Sequence, residues 1–413
     1  MSRIEDLIAK LCPDGVAFAR LGDIATTVPG LTGKTKADFS DGNARYVSYK
    51  NAFANLAVDQ GSSDFVQVRE GERQNQLHKG DVVITGSSES LDEVGMSSVV
   101  TDEPAEPLYL NSFCFVVRFR DSALLTPGFS KYLFRSDSVR AQIRGSASGV
   151  TRINISKERF MKTRIPMPPL EVQREIVRIL DTFTELEAEL EAELEARRRQ
   201  YEHYRLSILT SLDAGQVVLR QLGQWRGGAT PSKAESRYWE GGTIPWLASM
   251  DVSEQGDGIR GRITESALAE TSLRLIPAPS IAVVMRSNIL RRRLPIGLVR
   301  VPTTVNQDIR ALTPSEDVDA EYVYQAVRAA SEEIRAACVR TDGSMAAVDS
   351  KGFFDFKIPL PSLDDQRRIA ERLRFFDALV NDLRVGLPAE LAARRRQYEH
   401  YRDRLLTFEE ASA

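Results

Sequence analysis

The sequence predicts an α+β fold class, in which two similar mixed α/β domains are separated by two long helices that pack as an antiparallel coiled coil. A nine-residue block, Arg197–Arg205, recurs unchanged as Arg394–Arg402, close to half a chain length later. Each block lies near the end of a long segment with helical periodicity, and each segment follows a stretch of short β-type runs. Because self-similarity at such a period indicates duplication, one domain plus one helix forms a unit that is used twice.

The composition limits the class of protein. A chain of 413 residues with 42% hydrophobic content is long enough for two or more domains with ordinary cores. No run approaches the ~18 apolar residues of a membrane span, and no signal-peptide pattern opens the sequence. Cys12, Cys114 and Cys338 are too dispersed for a zinc cluster and suit a reducing compartment. We therefore expect a cytoplasmic protein with no metal site and no membrane association.

The first domain is expected over residues 1–168. Val82–Thr85 and Phe113–Val117 have the pattern of buried strands, each bounded by polar residues or glycine. The apolar spacing between Leu124 and Arg144 favours one or two helices. Met167–Pro169 then ends the pattern, since proline favours an extended preceding residue and tolerates a helix that starts just after it.

A central long helix is expected over residues 169–212. From Leu170 to about Thr210 there is no Gly or Pro, and apolar residues recur at steps of three and four. About 40 residues at 1.5 Å each make a helix of roughly 60 Å, which needs a partner for its apolar seam. The acidic run Glu185–Glu195 and His203 are expected to be solvated. The residues that we expect to pair helices or dock subunits here are Phe183, Leu186, Leu190, Tyr201 and Tyr204.

The second domain is expected over residues 213–358, with a buried strand at Ile281–Met285 and an amphipathic helix over Ala320–Val339. Leu110–Ser112 matches Val305–Gln307 at an offset of 195, as divergent copies of one fold would.

A second long helix is expected over residues 359–413. Gln366 corresponds to Gln173 of the first helix at an offset of 193. Gly386 and Pro388 predict a kink or break, so the continuity of this helix stays open. Its expected pairing or docking residues are Phe376, Leu379, Leu383, Tyr398 and Tyr401.

The sequence contains none of the catalytic motifs that we sought. Gly30–Thr35 resembles a phosphate-binding loop but has Val28 where the first glycine is required. There is no GxSxG, HExxH or Gly-rich dinucleotide fingerprint, and His78, His203 and His400 do not form a site. We therefore expect no catalytic residues. That the protein is an enzyme ranks third, after the two binding hypotheses given below.

Local basic patches would have to carry any binding of nucleic acid, because the net charge is only −3 and its acidic surplus lies in the central helix. Adjacent arginines pointing different ways suit several phosphates, and Arg and Asn can read base edges. The alternative is that the arginines only keep an exposed loop solvated and bind no nucleic acid. The candidates in the second domain are Arg286, Asn288, Arg291, Arg292 and Arg293. Those in the first domain are Lys34, Lys36, Tyr49, Lys50, Asn51, Arg144 and Arg152.

The domain ends and the repeated blocks also resemble those of a known family. The relevant residues are Ile165–Gln173 and Ile358–Gln366, which each close a domain and open a long helix, together with Gly227–Ser232 and the two nine-residue blocks. In this order of domain, helix, domain and helix, the chain resembles the specificity subunit of a Type I restriction–modification system over essentially its whole length.

The resemblance implies a non-catalytic subunit whose two domains each read half of a bipartite site in double-stranded DNA. Its helices would act as a spacer and as the dock for two methyltransferase subunits, which a motor-nuclease (restriction) subunit can join. S-adenosylmethionine would bind in those partners, and this chain would hold no cofactor. A coiled-coil scaffold whose two heads bind proteins is the competing hypothesis, and salt-sensitive binding to duplex DNA distinguishes the two.

Overall fold

The computed structural model describes residues 2–212, 214–252, 258–381 and 386–411. The chain forms two compact units: unit 1 is Met1–Leu190 with Leu391–Ala413, and unit 2 is Glu191–Glu390. Both boundaries fall within long helices, so each unit contains one mixed domain and part of each helical segment. Within the described residues, no helix is both long and apolar enough to cross a membrane. No group of three or more His, Cys, Asp or Glu residues among them could hold a metal ion.

Unit 1 is built around two small sheets. Its strands are β1 (Phe18–Arg20), β2 (Ala25–Pro29), β3 (Ala44–Val47), β4 (Phe65–Val66), β5 (Val82–Thr85), β6 (Ser87–Ser88), β7 (Ser97–Val99), β8 (Leu108–Leu110), β9 (Cys114–Phe119), β10 (Ala147–Ser148), β11 (Ile153–Ile155) and β12 (Arg164–Pro166). Its helices are α1 (Ser2–Leu11), α2 (Leu21–Ile24), α3 (Tyr49–Ala54), α4 (Pro127–Leu133), α5 (Asp137–Gly145), α6 (Lys157–Phe160) and the first half of α7 (Leu170–Thr210). The larger sheet has the antiparallel order β2-β9-β5-β7, and the smaller has the order β4-β3-β8 with β3 and β8 parallel.

The central strand β5 is apolar throughout because both of its faces are covered. Val82 and Ile84 point into one buried cluster with Phe129 of α4, whereas Val83 points into a second cluster with Val116 of β9. Successive side chains of a strand point to opposite faces, so a continuous apolar run is what a strand between two cores requires. The predicted strand Val82–Thr85 is confirmed, and the expected strand at 113–117 runs over β9 instead.

Unit 2 repeats this plan. Its strands are β13 (Gln216–Val218), β14 (Gly223–Gly227), β15 (Ile244–Leu247), β16 (Gly261–Ile263), β17 (Ser280–Val284), β18 (Ile296–Val299), β19 (Thr304–Val305), β20 (Ile309–Pro314), β21 (Val339–Arg340), β22 (Ala347–Val348) and β23 (Lys357–Pro359). The remaining helices of the chain are α8 (Glu265–Glu270), α9 (Ala320–Ala329), α10 (Ser331–Cys338), α11 (Ser350–Asp355), α12 (Leu363–Asn381) and α13 (Gly386–Leu406). The sheets are β14-β20-β17-β18 and β16-β15-β19, with β15 and β19 parallel.

Matching ladders define equivalent positions in the two units. The backbone N–H of Asn111 donates to the Val47 carbonyl (3.0 Å), as that of Asn306 donates to the Leu247 carbonyl (3.0 Å). The expected match of Leu110–Ser112 with Val305–Gln307 is therefore confirmed. By contrast, the expected single helix Ala320–Val339 is two helices, α9 and α10, because Ala330 between them has a ψ of 3° and lies outside helical geometry.

One glutamine in each unit joins the mixed domain to its long helix. Gln173 at the start of α7 accepts from the Thr126 N–H (2.8 Å) and donates to the carbonyls of Leu124 (2.9 Å) and Pro168 (2.8 Å). Gln366 in α12 repeats the arrangement with Asp319 N–H (2.8 Å) and the carbonyls of Asp317 and Pro361. Both amides are buried. These contacts fix where each long helix leaves its domain.

The long helices pair within each unit. Helix α7 runs from Leu170 to Thr210 without interruption, as predicted. In unit 1, Phe183 stacks on Tyr401 of α13 at 5.4 Å between ring centroids, and Glu187 accepts from Arg395 at 2.7 Å, so the two helices run antiparallel. In unit 2, the ring of Tyr204 meets that of Phe376 of α12 edge-on at 5.3 Å. The same pair of residue types, Phe and Tyr, thus joins the helices in both units.

The expected interruption of the second long helix is confirmed at Gly386. The φ of Gly386 is +66°, and a Cβ atom there would lie 2.6 Å from the Leu379 carbonyl oxygen, so only glycine fits. Leu383 lies outside the described residues. Two further candidates for pairing or docking, Leu186 and Leu379, remain 40% and 38% exposed. For Leu186 the reason is that Phe183 and Glu187 occupy the face of α7 that meets α13.

Candidate nucleic-acid interface

Two of the predicted DNA-contacting residues, Tyr49 and Arg152, meet at one open cavity of unit 1. The cavity has a volume of about 740 Å³ and lies where α3, β6 and the loops before β9 and β11 converge. Its lining combines aromatic rings, hydroxyl groups, two carboxylates and a guanidinium: Tyr49, Phe53, Ser87, Ser88, Glu89, Glu93, Phe113, Thr151 and Arg152.

Contacts among these side chains hold planar groups in place. Arg152 donates to the Ser87 hydroxyl at 3.0 Å, and its guanidinium lies 5.1 Å from the centre of the Phe113 ring. Tyr49 donates its phenolic hydrogen to the Ser87 carbonyl at 2.8 Å. Burial raises the pKa of the Tyr49 phenol, so it stays a neutral hydrogen-bonding group. Phe113 nevertheless stays 54% exposed. The cavity therefore offers fixed planar and polar groups to a ligand.

The carboxylates of Glu89 and Glu93 decide which part of DNA this cavity can accept. A carboxylate repels phosphate but accepts hydrogen bonds from the amino groups of bases, such as cytosine N4. Glu93 is within 3.5 Å of the Ser88 hydroxyl, at the side of the cavity where β6 ends. The lining is consequently suited to base edges rather than to the sugar–phosphate backbone.

Lys34 differs from expectation, since its ammonium is bound by other residues of unit 1. Its ammonium donates to the Gln67 carbonyl at 2.5 Å and pairs with Glu72, and its side chain is only 6% exposed. The Arg69 N–H and the Lys34 ammonium lower the pKa of Glu72 to about 2. Lys34 thus ties its loop to a loop that lies more than thirty residues further along the chain. Lys36, in contrast, is exposed.

Asn51 also differs from expectation, because it is buried and its amide is used internally. Its Nδ2 donates to the Asp59 carbonyl at 2.8 Å, and its Oδ1 accepts from the Asp59 N–H at 3.0 Å. Lys50 beside it is exposed, and Arg144 is half-buried at the end of α5. Of the first-domain candidates, the structure groups Tyr49 with Arg152 and leaves the others apart from that cavity.

In unit 2, the predicted arginine cluster occupies the equivalent loops. Arg286 follows β17 as Ser87 follows β5, and it donates to Asp308 at 2.7 Å. Asn288, Arg292 and Arg293 are exposed. Arg291 is exposed but donates to the carbonyls of Thr341 and Gly343, at 3.0 Å each, so it holds the loop before β22.

Equivalent positions carry different chemistry in the two units. The ladder registers and one isolated bridge match Phe113 with Asp308, Arg152 with Met345 and Lys50 with Met250. Met250 and Met345 are 77% and 47% exposed. The sequence analysis assigned Phe113 to a buried strand and no role to either methionine. The ladders match Val47 with Leu247 at an offset of 200, whereas the sequence offset of 195 would place Lys50 at residue 245, so that offset alone does not find Met250.

The repeated blocks place their tyrosines and histidines as expected. Tyr201 is 4% exposed and donates to the Leu373 carbonyl at 3.3 Å. Burial raises the pKa of the Tyr398 phenol to about 12. His203 and His400 are exposed. Each block therefore has an inner tyrosine face and an outer face that remains open to solvent.

Comparison with known proteins gives a consistent result. Residues 13–196 and 213–393 each match the sequence profile described as the Type I restriction modification DNA specificity domain. The EcoR124I/EcoR124II Type I restriction enzyme specificity subunit of Escherichia coli is 44% identical over 260 residues, which are 60% of this chain and 64% of that protein. The MjaIX specificity subunit of Methanocaldococcus jannaschii is 31% identical over 172 residues, which are 40% and 38% of the two chains. The matched region is thus less than two thirds of either relative.

The fold has a counterpart among solved structures. A chain from work on complex assembly and conformational transition of the type I R-M system aligns over 95% of this chain and 98% of its own length. The TM-score is 0.67 at 19% identity, so the likeness concerns the fold.

Proposed function

This chain belongs to the Type I restriction–modification DNA specificity family, and from that membership we propose that it is the non-catalytic subunit that reads a bipartite site in double-stranded DNA. Two recognition domains, residues 1–168 and 213–358, would read one half-site each. The helical segments 169–212 and 359–413 would act as the spacer between them. The competing hypothesis, a scaffold whose heads bind proteins, has no support from the family match.

The observation that carries the proposal is the contrast between the two equivalent loop surfaces. One fold holds Ser87, Phe113 and Arg152 in unit 1, whereas it holds Arg286, Asp308 and Met345 at the corresponding places in unit 2. Side chains that merely stabilised the fold would face the same neighbours in both copies and would need no such change. A difference confined to exposed loops on a shared frame is what reading two different half-sites requires.

The DNA-contacting residues divide by the chemistry of their side chains. Base edges would be read by Tyr49 and Arg152 in unit 1 and by Arg286 and Asn288 in unit 2. The exposed cations would contact phosphates and position the protein without reading sequence: Lys36, Lys50, Arg292 and Arg293. Arg144 and Arg291 would support these surfaces, and Lys34 and Asn51 would shape the fold beneath them.

The proposed partners rest on the family to which the chain belongs. Two methyltransferase subunits, each binding S-adenosylmethionine and methylating adenine in the cytoplasm, would dock on the long helices near the two repeated blocks. A restriction subunit would extend the assembly to cleavage. Identical outer faces on Arg197–Arg205 and Arg394–Arg402 support two equivalent docking positions.

The proposal is tested by mapping methylated adenine across the genome in host cells with and without the gene for this chain. We expect one split motif with a fixed gap that disappears on deletion and returns on complementation. Arg152→Ala should erase or relax one half of the motif, and Arg286→Ala the other half.

Arg20→Ala provides a matched control, because Arg20 is an exposed arginine on β1 and outside the cavity. It should leave the motif unchanged. An identical methylation map in deleted and complemented cells would contradict DNA recognition and leave the scaffold hypothesis.

A further inference from the structure

Large apolar side chains are exposed on the two candidate surfaces, among them Phe113 in unit 1 and Met250 and Met345 in unit 2. Phe113 lies against Arg152. The segments that carry the two methionines are connected by hydrogen bonds to the loops of Arg286 and Asp308. The question is which group on DNA such side chains can recognise.

In unit 2, hydrogen bonds bring both methionines to the loops that hold Arg286. Met250 follows Ser249, whose hydroxyl accepts from the Asn306 amide at 3.2 Å. The Asn306 side chain in turn accepts from the N–H of Asp308, the carboxylate partner of Arg286.

Met345 reaches the same loops from the other side. It precedes Ala346, whose carbonyl accepts from the Ser287 N–H at 3.0 Å, and Ala347 pairs with Arg286 in an isolated β-bridge. The backbone on both sides of the arginine is therefore fixed.

In unit 1, Phe113 is fixed by its own backbone. Its N–H donates to the Asn111 side chain at 2.8 Å, and its carbonyl accepts from the Gly86 N–H at 2.8 Å. The Arg152 guanidinium lies against its ring and leaves the rest exposed. The apolar group is thus held beside a side chain suited to base edges.

The chemistry of the major groove limits which group of a base an apolar side chain can recognise there. Unmodified base pairs present hydrogen-bond donors and acceptors there, and their one methyl group is the 5-methyl of thymine. An apolar side chain in that groove can therefore gain a sequence-specific contact only with thymine. Insertion as a wedge between base steps from the minor groove is the other known use of such side chains, and it does not depend on that methyl group.

We propose that Phe113 in unit 1, and Met250 and Met345 in unit 2, contact the 5-methyl groups of thymines in the major groove of the two half-sites. The inference rests on the proposed function and adds the chemical group that each surface recognises. Arg152 and Arg286 would supply the polar contacts beside them.

The test uses the full chain copurified with its methyltransferase partner and duplexes that contain the mapped motif. Each thymine is replaced singly by deoxyuridine, which lacks only the 5-methyl group, and affinity is measured by fluorescence anisotropy at one salt concentration. We expect each half-site to contain at least one thymine whose replacement weakens binding about fourfold, the effect of roughly 0.8 kcal/mol for one apolar carbon.

Variants assign each methyl group to a side chain. Phe113→Ala should bind the thymine and deoxyuridine forms of one half-site equally, while it still discriminates them in the other. Met250→Ala and Met345→Ala should show the reverse pattern. The control for Phe113 is Phe65→Ala, since Phe65 on β4 is also partly exposed with an arginine, Arg45, 4.9 Å from its ring centre. Leu275→Ala, 43% exposed, is the control in unit 2.

The possible outcomes separate the two proposals. A wild-type complex that binds the motif but tolerates every deoxyuridine overturns the methyl contact and leaves DNA recognition intact. Equal loss of affinity for thymine and deoxyuridine duplexes in Phe113→Ala, Met250→Ala and Met345→Ala would indicate wedges and also overturn it. A wild-type complex that does not prefer the motif over a scrambled duplex contradicts the proposed function itself.

Discussion

At the scale of single residues, Gln173 and Gln366 explain how a long helix is joined to a domain in a fixed direction. Each side chain makes three hydrogen bonds. Two of them bind a distant segment of the mixed domain, and the third binds the carbonyl five residues earlier, just before the helix begins. The loss of one amide therefore removes the hydrogen bonds of one N–H group and two carbonyl groups at once.

Gln366→Ala should lower the free energy of unfolding by about 1–3 kcal/mol, because the Asp319 N–H and two carbonyls lose their partner in the interior. Urea unfolding followed by tryptophan fluorescence measures the effect, since Trp225, Trp239 and Trp246 all lie in unit 2. Gln200→Ala, at an exposed position of unit 2, is the control and should be neutral. Equal stability of the two variants would contradict the role assigned to Gln366.

The sequence could predict the residue types of the candidate site, but it could not predict which side chains are neutralised by distant partners. Tyr49 and Arg152 are residue types that contact DNA, and they do meet at one cavity. Lys34 looked equally suitable, but Glu72 neutralises it from a distant loop. Pairing between loops so far apart depends on the tertiary fold, and nothing in the spacing of residues reveals it.

At the scale of elements, the repeated block is one sequence with two faces. Tyr201 and Tyr204 meet α12, whereas His203 between them remains exposed. The three- and four-residue steps of a helix account for this division. The apolar seam therefore stabilises each unit, and the outer face is available for another purpose.

Tyr201→Ala should reduce the free energy of unfolding by about 3 kcal/mol, the range for a buried aromatic residue. His203→Ala, two positions away in the same helix, should change it by no more than about 0.5 kcal/mol. Thermal or urea unfolding of both variants gives the comparison. A larger loss for the histidine variant would show that the block is not divided in this way.

Among the elements, the sequence predicted best those whose limits depend on backbone chemistry. Helix α7 begins after Pro168–Pro169 and continues as far as Thr210, since no Gly or Pro intervenes. The split at Ala330 had no such signal, because alanine favours helix. Phe113 was misplaced for a related reason: an exposed Phe next to a strand looks like part of it.

At the scale of the whole molecule, two helices, α7 and α13, contribute residues to both units, and α7 is the longer of the two. Helix α7 has its first half in unit 1 and its second half in unit 2. The length of α7 is therefore a property of the whole chain and not of either domain alone.

Insertion of Glu-Leu-Glu-Ala after Leu190 should add about 6 Å of helix, at 1.5 Å per residue. The gap in the methylated motif should then grow by about two base pairs of ~3.4 Å, and both half-sites should stay the same. Methylation mapping of cells that carry this variant measures the gap. Four Gly and Ser residues inserted at Gly71, an exposed turn, are the control, and an unchanged gap in the helix variant would exclude a spacer role.

The composition of unit 1 from two distant stretches has a consequence for synthesis on the ribosome. Unit 2 is continuous from Glu191 to Glu390, so its residues emerge together. Unit 1 also needs residues 391–413: the Val16 N–H donates to the Glu409 carbonyl at 2.9 Å, and Tyr398 and Leu406 pack into its core. The domain that is translated first is thus completed last. Until residues 391–413 have been synthesised, the face of unit 1 that later receives Leu406 stays uncovered. During that interval the nascent chain is most open to chaperones and proteases.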